Sequence, residues 1–133
     1  MLLKINTNKI KILHSSVIEY CQNIEYDLKW LIGESCGEDV EDAIFLELDS
    51  EKCSLGKIIN IIEQSKLISK RNLFFLKQMN KKRNFYCHKC FIKFYAYKTN
   101  INQYIKLLNL LTNDLEKFKN LYKDINNLRY QNS

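Results

Sequence analysis

Hydrophobic residues recur at steps of three and four along most of this chain, which is the spacing of one face of an α-helix. The first series predicts a helix from about Asn8 to Ile32, with Thr7 as its N-cap and Gly33 at its end. Its apolar positions are Ile10, Leu13, Val17, Tyr20, Ile24, Leu28 and Leu31.

Three more helices follow from the same spacing. Ser54 is a suitable N-cap for the second, a third begins near Ser69, and Thr99 or Asn100 starts a long last helix of about 45 Å. The apolar stripe of the last helix alternates steps of three and four and is typical of a bundle core. It consists of Ile101, Tyr104, Leu108, Leu111, Leu115, Phe118, Tyr122 and Ile125.

The composition agrees with this pattern. Among 133 residues there is no proline and there are only three glycines, whereas all-β folds need frequent Gly and Pro turns. No two of the glycines have the spacing of a phosphate-binding loop. We therefore expect an all-α fold, a four-to-five-helix up-and-down bundle forming one domain over residues 1–133. The segment from Val40 to Leu48 fits either a short helix or an irregular structure.

Several classes of protein are disfavoured. The first residues lack the continuous apolar region of a signal peptide, and no run of about 18 apolar residues is long enough to span a membrane. The five cysteines are an odd number, and without a secretory signal they indicate reduced thiols. These features predict a cytoplasmic protein with no membrane partner.

The charge distribution is uneven. The formal net charge is +6, yet residues 30–51 contain eight acids and no Lys or Arg, while residues 64–113 contain eleven bases and no acid. Solvated helices normally mix both signs, so a basic segment of this length predicts a face that binds a polyanion, most simply RNA. The alternative is that the excess of lysine reflects only a general compositional bias of the source toward lysine and asparagine.

One hexapeptide within the basic segment carries candidate chemistry: Arg83-Asn84-Phe85-Tyr86-Cys87-His88. On a helix Asn84 and His88 share a face, whereas Arg83 lies about 140° away from His88. The long arginine side chain, or a local kink, would bring the three together. Arginine grips phosphate through a two-pronged contact, and histidine transfers protons near neutral pH. The set suits phosphodiester chemistry.

The motif Arg83, Asn84 and His88 resembles the hallmark of the HEPN domain family (higher eukaryotes and prokaryotes nucleotide-binding), which is Arg, a polar residue, a short gap and His. The resemblance implies a HEPN-like helical bundle and a metal-independent endoribonuclease that acts as a homodimer with two motifs facing one cleft. In such enzymes the RNA 2′-hydroxyl attacks the adjacent phosphate and leaves a 2′,3′-cyclic phosphate. Many members are small prokaryotic toxins or abortive-infection proteins.

What the resemblance implies for site and partners follows from these positions. The catalytic residues would be Arg83, Asn84 and His88, with no metal and no cofactor. An antitoxin or regulatory protein is a possible partner, although Cys90 stands where antitoxin-paired members often carry a modifiable tyrosine. The candidate RNA-binding residues around the motif are Lys81, Lys82, Lys89, Tyr86 and Lys93.

Other interpretations stay open at this point. Phe91, Phe94, Tyr95 and Tyr97 suit stacking on unpaired bases, or else a core or dimer interface. Cys87-His88-Lys89-Cys90 has the spacing of half a zinc site, although no second pair of ligands has finger spacing. A HEPN-like bundle that binds RNA without cutting it, and a purely structural helical protein, are the remaining alternatives.

Overall fold

The computed structural model describes residues 4–50 and 52–131, and within those residues every regular element is an α-helix, as the sequence predicts. The acidic Glu51 lies outside the described residues. Four longer helices are joined by two short ones. They are α1 (Thr7–Ser35), α2 (Glu41–Leu48), α3 (Leu55–Ser65), α4 (Lys70–His88), α5 (Cys90–Lys93) and α6 (Ile101–Gln131).

Side-chain caps begin the longer helices. Ser54 accepts from the Lys57 N–H at 3.3 Å, which confirms the predicted cap. Ser69 accepts from the Asn72 N–H at 3.1 Å, which confirms that a helix begins there. Asn100 accepts from the N–H of Gln103 at 3.1 Å and so begins α6. Each oxygen satisfies a donor that has no partner within its helix.

The predicted cap of α1 is wrong by one residue. Asn6, not Thr7, precedes the helix in extended backbone, and its Oδ1 accepts from the N–H of Lys9 at 3.1 Å. Asn and Thr are both good caps, so residue preference does not by itself favour Thr7 over Asn6.

Gly33 does not end α1, contrary to prediction, because the helix continues to Ser35 with Gly33 buried inside it. A Cβ at this position would lie 2.8 Å from the carbonyl oxygen of Glu41, so the glycine allows the start of α2 to approach α1 closely. The left-handed turn comes four residues later, at Gly37, where φ is 108°. A close backbone contact, rather than a helix end, explains Gly33.

Replacing Gly33 by alanine is expected to destabilise the fold by about 1–3 kcal/mol, because the added methyl group meets backbone that cannot yield as a flexible side chain does. The control is Gly56→Ala in α3, where the nearest atoms to a new Cβ are 3.8 Å away. There alanine is expected to be neutral or stabilising by up to about 1 kcal/mol. Urea unfolding measures both, and equal stability of the two variants would contradict the close approach.

The core is formed chiefly where α1 packs against α6, with α3 and α4 completing it. Five of the seven apolar positions of α1 are buried as predicted, and Leu13 and Tyr20 are partly buried. Of the eight stripe positions of α6, four are buried, namely Tyr104, Leu111, Phe118 and Ile125, and three more are partly buried. Two differences concern α6: Leu107 and Leu121 are buried as well, while Ile101 at the start of the helix is 38% exposed. The buried face of α6 is therefore rotated slightly from the predicted stripe, toward Leu107 and Leu121.

A polar cluster ties the end of α6 to α1. Asp27 is only 3% exposed, and its Oδ1 accepts from Arg129 Nη1 at 3.0 Å while Oδ2 accepts from Asn126 at 3.0 Å. Arg129 Nε also donates to Glu34 at 3.3 Å. Burial lowers the pKa of Arg129, but these hydrogen bonds outweigh it and raise the pKa above its usual value. The buried carboxylate is thus fully paired.

The segment from Val40 to Leu48, for which the sequence allowed either a short helix or an irregular structure, contains the short helix α2. Phe45 stacks on Trp30 of α1 with ring centroids 4.1 Å apart, and Lys29 donates to Asp49 at 2.7 Å. Packing of one aromatic ring on α1 therefore selects the helix. In the described parts of the chain no helix is long and apolar enough to cross a membrane.

Candidate functional site

The hexapeptide lies at the C-terminal end of α4. This helix is continuous from Lys70 through the motif to His88, and Lys89, with a φ of −126°, separates it from α5. Buried Leu76, Met79 and Tyr86 hold α4 against the core. The motif is therefore built on a rigid element, without the local kink that the sequence allowed.

The three motif residues are not gathered on one spot. Asn84 and His88 are exposed on the same side of α4, as their spacing of four predicts. Arg83 turns toward α1 instead, where its Nη1 lies 3.5 Å from Glu25 Oε2, and its side chain is 31% exposed. Among the described residues, no hydrogen bond or ion pair holds the side chains of Asn84 or His88. Both are open to solvent and to a ligand.

Tyr86 lies in the core with 1% of its surface exposed, so it is not available for the RNA contact expected of it. Its hydroxyl donates a hydrogen bond to Asp114 Oδ2. Burial is the main cause that raises the pKa of Tyr86 well above the usual range, and this hydrogen bond is the second. Its backbone carbonyl accepts from His14 Nε2 at 2.8 Å. The tyrosine stays protonated and joins α1, α4 and α6.

Beside Tyr86 a cavity of about 490 Å³ opens between α4 and α6. Its walls are mainly apolar and come from both helices, while charged groups stand at its edge and floor. The apolar lining includes Phe75, Met79, Phe85, Leu110, Phe118 and Leu121, and the charged lining is Lys81, Lys82, Lys93, Lys117 and Asp114. Three of the predicted RNA-binding lysines therefore surround one cavity.

The basic segment carries more positive charge than its neighbours neutralise. Three of its eleven bases pair with acids from elsewhere, namely Lys77 with Glu63, Lys82 with Asp114 and Arg83 with Glu25. The other eight form no ion pair within the part of the chain that is described. They are Lys66, Lys70, Arg71, Lys81, Lys89, Lys93, Lys98 and Lys106. The predicted excess of cations is thus retained in the folded protein.

The aromatic residues after the motif divide between the two interpretations. Phe94 and Tyr97 are buried in the core, whereas Tyr95 is 78% exposed and Phe91 is 39% exposed. Ile92 between them is 75% exposed, which leaves an apolar patch on and beside α5. Only Phe91 and Tyr95 are thus available to stack on a base or to meet another protein surface.

The cysteines do not form a metal centre. All five are free, and burial raises the pKa of Cys21 to about 12 and of Cys90 to about 11, so both are protonated thiols at neutral pH. Within the described residues, no group of three or more His, Cys, Asp or Glu side chains is placed to hold a metal ion. The half zinc site at Cys87 and Cys90 has no second half there.

No family model, curated protein or solved structure matches this chain.

Sequence reasoning missed two acids that shape the site. Asp114 is the first acid after the basic segment and occupies a position of the apolar stripe of α6, between Leu111 and Phe118. A carboxylate at a core position requires a buried partner, and that was the signal available in the sequence. Glu25 offered no comparable signal, because its contact with Arg83 joins helices far apart in the chain.

Proposed function

We propose that this protein is a metal-independent endoribonuclease with a HEPN-like up-and-down bundle. One observation supports the proposal above the rest: His88 is exposed beside Asn84 at the end of α4, within a segment that retains eight unpaired cations in the described structure. An exposed imidazole, which can accept and donate a proton, next to a surface that attracts phosphates is what RNA cleavage through the 2′-hydroxyl requires.

The unpaired cations draw the RNA to the protein. Lysines without acidic partners create a positive field that raises the local concentration of a polyanion and releases its counterions on binding. Among these unpaired cations, Lys81, Lys89 and Lys93 lie closest to His88 in sequence and would hold the phosphates on either side of the scissile bond. This electrostatic part of the binding is independent of sequence and weakens as salt increases.

The chemistry follows from the groups present. His88 takes the proton of the 2′-hydroxyl, whose oxygen attacks the adjacent phosphorus and forms a 2′,3′-cyclic phosphate. The bond from phosphorus to the 5′ oxygen breaks, and that oxygen takes a proton from a second imidazolium. With RNA bound, Asn84, one helical turn before His88, would orient the imidazole, and a guanidinium would neutralise the charge that develops on the phosphate.

Arg83 must leave Glu25 to contact a phosphate. Their separation of 3.5 Å is that of a loose ion pair, and a partly exposed pair of this kind stabilises by about 0–1 kcal/mol. A phosphate offers the guanidinium two parallel hydrogen bonds and therefore competes well with Glu25. RNA binding and reorientation of Arg83 would thus be coupled.

A homodimer supplies the second proton-transfer group. One chain carries one motif, whereas the reaction needs a base and an acid. The exposed apolar patch of Phe91, Ile92 and Tyr95 follows the motif directly and suits a two-fold interface that brings two copies of His88 together.

We therefore expect light scattering to give a dimer at micromolar concentration. The double variant Ile92→Ser, Tyr95→Ser is expected to be monomeric, folded and at least about 100-fold less active, since general acid catalysis contributes a factor of this order. A wild-type protein that is monomeric under assay conditions and still fully active would contradict the shared site.

The nature of the product tests the reaction itself. Single-stranded RNA incubated with the protein in excess EDTA is expected to be cleaved, with a 2′,3′-cyclic phosphate on the upstream fragment, because the nucleophile belongs to the RNA. DNA of the same sequence lacks the 2′-hydroxyl and is expected to bind without being cut. Cleavage of DNA, or activity that EDTA removes and magnesium restores, would rule out this mechanism.

A second candidate function is a non-catalytic HEPN-like RNA-binding or regulatory subunit. The observation that favours it is the direction of Arg83, which faces Glu25 on α1 while His88 faces solvent. It predicts RNA binding by the wild-type protein without cleavage under any of these conditions, so the same incubation distinguishes the two functions.

We infer a toxin or antiviral-defence role from the same resemblance, with an antitoxin or regulatory protein as a possible partner. Cys90, which replaces the modifiable tyrosine, is 1% exposed, so control by modification at this position is not supported. Expression of the wild type is expected to arrest growth and degrade cellular RNA, whereas expression of His88→Ala is not.

A further inference from the structure

We propose that the cavity between α4 and α6 receives one unpaired base of the RNA and is the substrate-recognition pocket of the enzyme. This inference rests on the proposed function for its substrate class. The cavity adjoins the candidate catalytic residue, because Phe85 in its wall and His88 are three residues apart and share a side of α4. A base held at Phe85 therefore brings a neighbouring phosphate to His88.

The size and walls of the cavity fit a base. Its volume of about 490 Å³ lies within the range of small-molecule pockets, about 300–1,000 Å³. Phe75, Phe85 and Phe118 line it with aromatic rings, which are the surfaces on which unpaired bases stack. Lys93 Nζ already lies 5.7 Å from the centroid of the Phe85 ring, so that side of the ring carries a cation for the phosphate.

The polar group of the cavity argues for a base with hydrogen-bonding edges. The side chain of Asp114 is 4% exposed and lines the cavity. Its Oδ2 accepts from Tyr86 and lies 3.5 Å from Lys82 Nζ, whereas its Oδ1 forms no hydrogen bond with any described residue. A nucleobase edge carries an N–H donor next to an acceptor, which matches the free carboxylate oxygen and the ammonium beside it.

An acyl chain fits the same space less well. Its carboxylate would suit the lysines, but its hydrocarbon would cover Asp114 Oδ1 and leave a buried oxygen without a donor, which is unfavourable. The remaining lysines of the lining, Lys81, Lys93 and Lys117, have no ion pair among the described residues. They complement the phosphates that accompany a base in RNA, so both ends of a nucleotide find partners.

The test is calorimetric titration of the full chain with 5′-AMP, 5′-GMP, 5′-CMP and 5′-UMP, alongside ribose 5-phosphate and laurate. We expect at least one nucleotide to bind about tenfold or more tightly than ribose 5-phosphate, because the latter lacks the stacked base. Leu110→Trp fills the cavity and is expected to reduce nucleotide affinity at least tenfold. If the Leu110→Trp variant does not fold, Gln78→Trp serves instead, because Gln78 is an exposed residue of the lining and the same loss of affinity is expected.

A matched lysine pair separates the pocket from general charge. Lys117→Ala removes a lining cation, while Lys119→Ala removes an exposed cation two residues along α6 that does not line the cavity. We expect nucleotide affinity to fall about threefold or more in the first and to stay unchanged in the second. Equal loss in both would overturn the proposal.

Other outcomes are equally decisive. The base pocket would be overturned if ribose 5-phosphate bound as tightly as every nucleotide. It would also be overturned if laurate bound more tightly than the nucleotides and displaced them. If the wild type cleaves RNA and both tryptophan variants cleave it at the same rate, the base pocket is overturned but the nuclease stands. Cavity-dependent nucleotide binding without any RNA cleavage would support the pocket and refute the nuclease, so the two proposals fail separately.

Discussion

Replacement of His88 by alanine is expected to reduce RNA cleavage about 1,000-fold or more while RNA affinity changes less than about twofold. General acid–base catalysis contributes factors of about 10²–10⁴, and a two-fold dimer would lose both proton-transfer groups at once. The affinity remains because the unpaired lysines are unchanged. The exposed imidazole has no hydrogen bond or ion pair within the described residues, so the Tm is expected to stay the same.

The controls separate chemistry from binding. Arg83→Ala is compared with Arg71→Ala, which changes the other Arg-Asn pair of α4, one that no histidine follows at the motif distance. Only Arg83→Ala is expected to lose cleavage. The double variant Lys81→Ala, Lys82→Ala is expected to weaken RNA binding and to lower the slope of log K against log salt by about 1–2. Full cleavage by His88→Ala would remove this residue from the mechanism.

Replacement of Arg129 by alanine is expected to lower the free energy of unfolding by about 3–5 kcal/mol, the cost of leaving one member of a buried ion pair alone. Asp27 is 3% exposed and would keep only its hydrogen bond from Asn126. The guanidinium also lies 5.5 Å from the Trp30 ring centroid and 5.6 Å from that of Tyr26, so packing is lost with the charge. Denaturant unfolding followed by circular dichroism measures the change.

Two further variants test the cause of this loss. Arg129→Lys keeps the charge but not the two donors that reach Asp27 and Glu34, so we expect about half the destabilisation. The double variant Asp27→Asn, Arg129→Ala removes the uncompensated charge and is expected to be more stable than Arg129→Ala alone. A loss below about 1 kcal/mol in Arg129→Ala would show that water reaches Asp27.

The elements of this fold are largely determined by the sequence. Apolar steps of three and four predict α1, α3, α4 and α6. The predicted cap Ser54 is confirmed, and Ser69 and Asn100 cap helices at the predicted starts. Such signals act within one helical turn, between a side chain and a backbone group three residues away. They can therefore be read from the sequence alone, and so can the shared helix face of Asn84 and His88.

The arrangement of the candidate site depends on contacts between helices. Gly33 is a close-packing position because α2 returns to α1. Tyr86 can be buried because Asp114, 28 residues later, accepts a hydrogen bond from its hydroxyl. Arg83 faces Glu25 because α1 crosses α4 at that point. Each contact joins residues far apart in the chain, and local spacing carries no information about them. The tertiary structure alone therefore decides which motif residues are free and where the cavity opens.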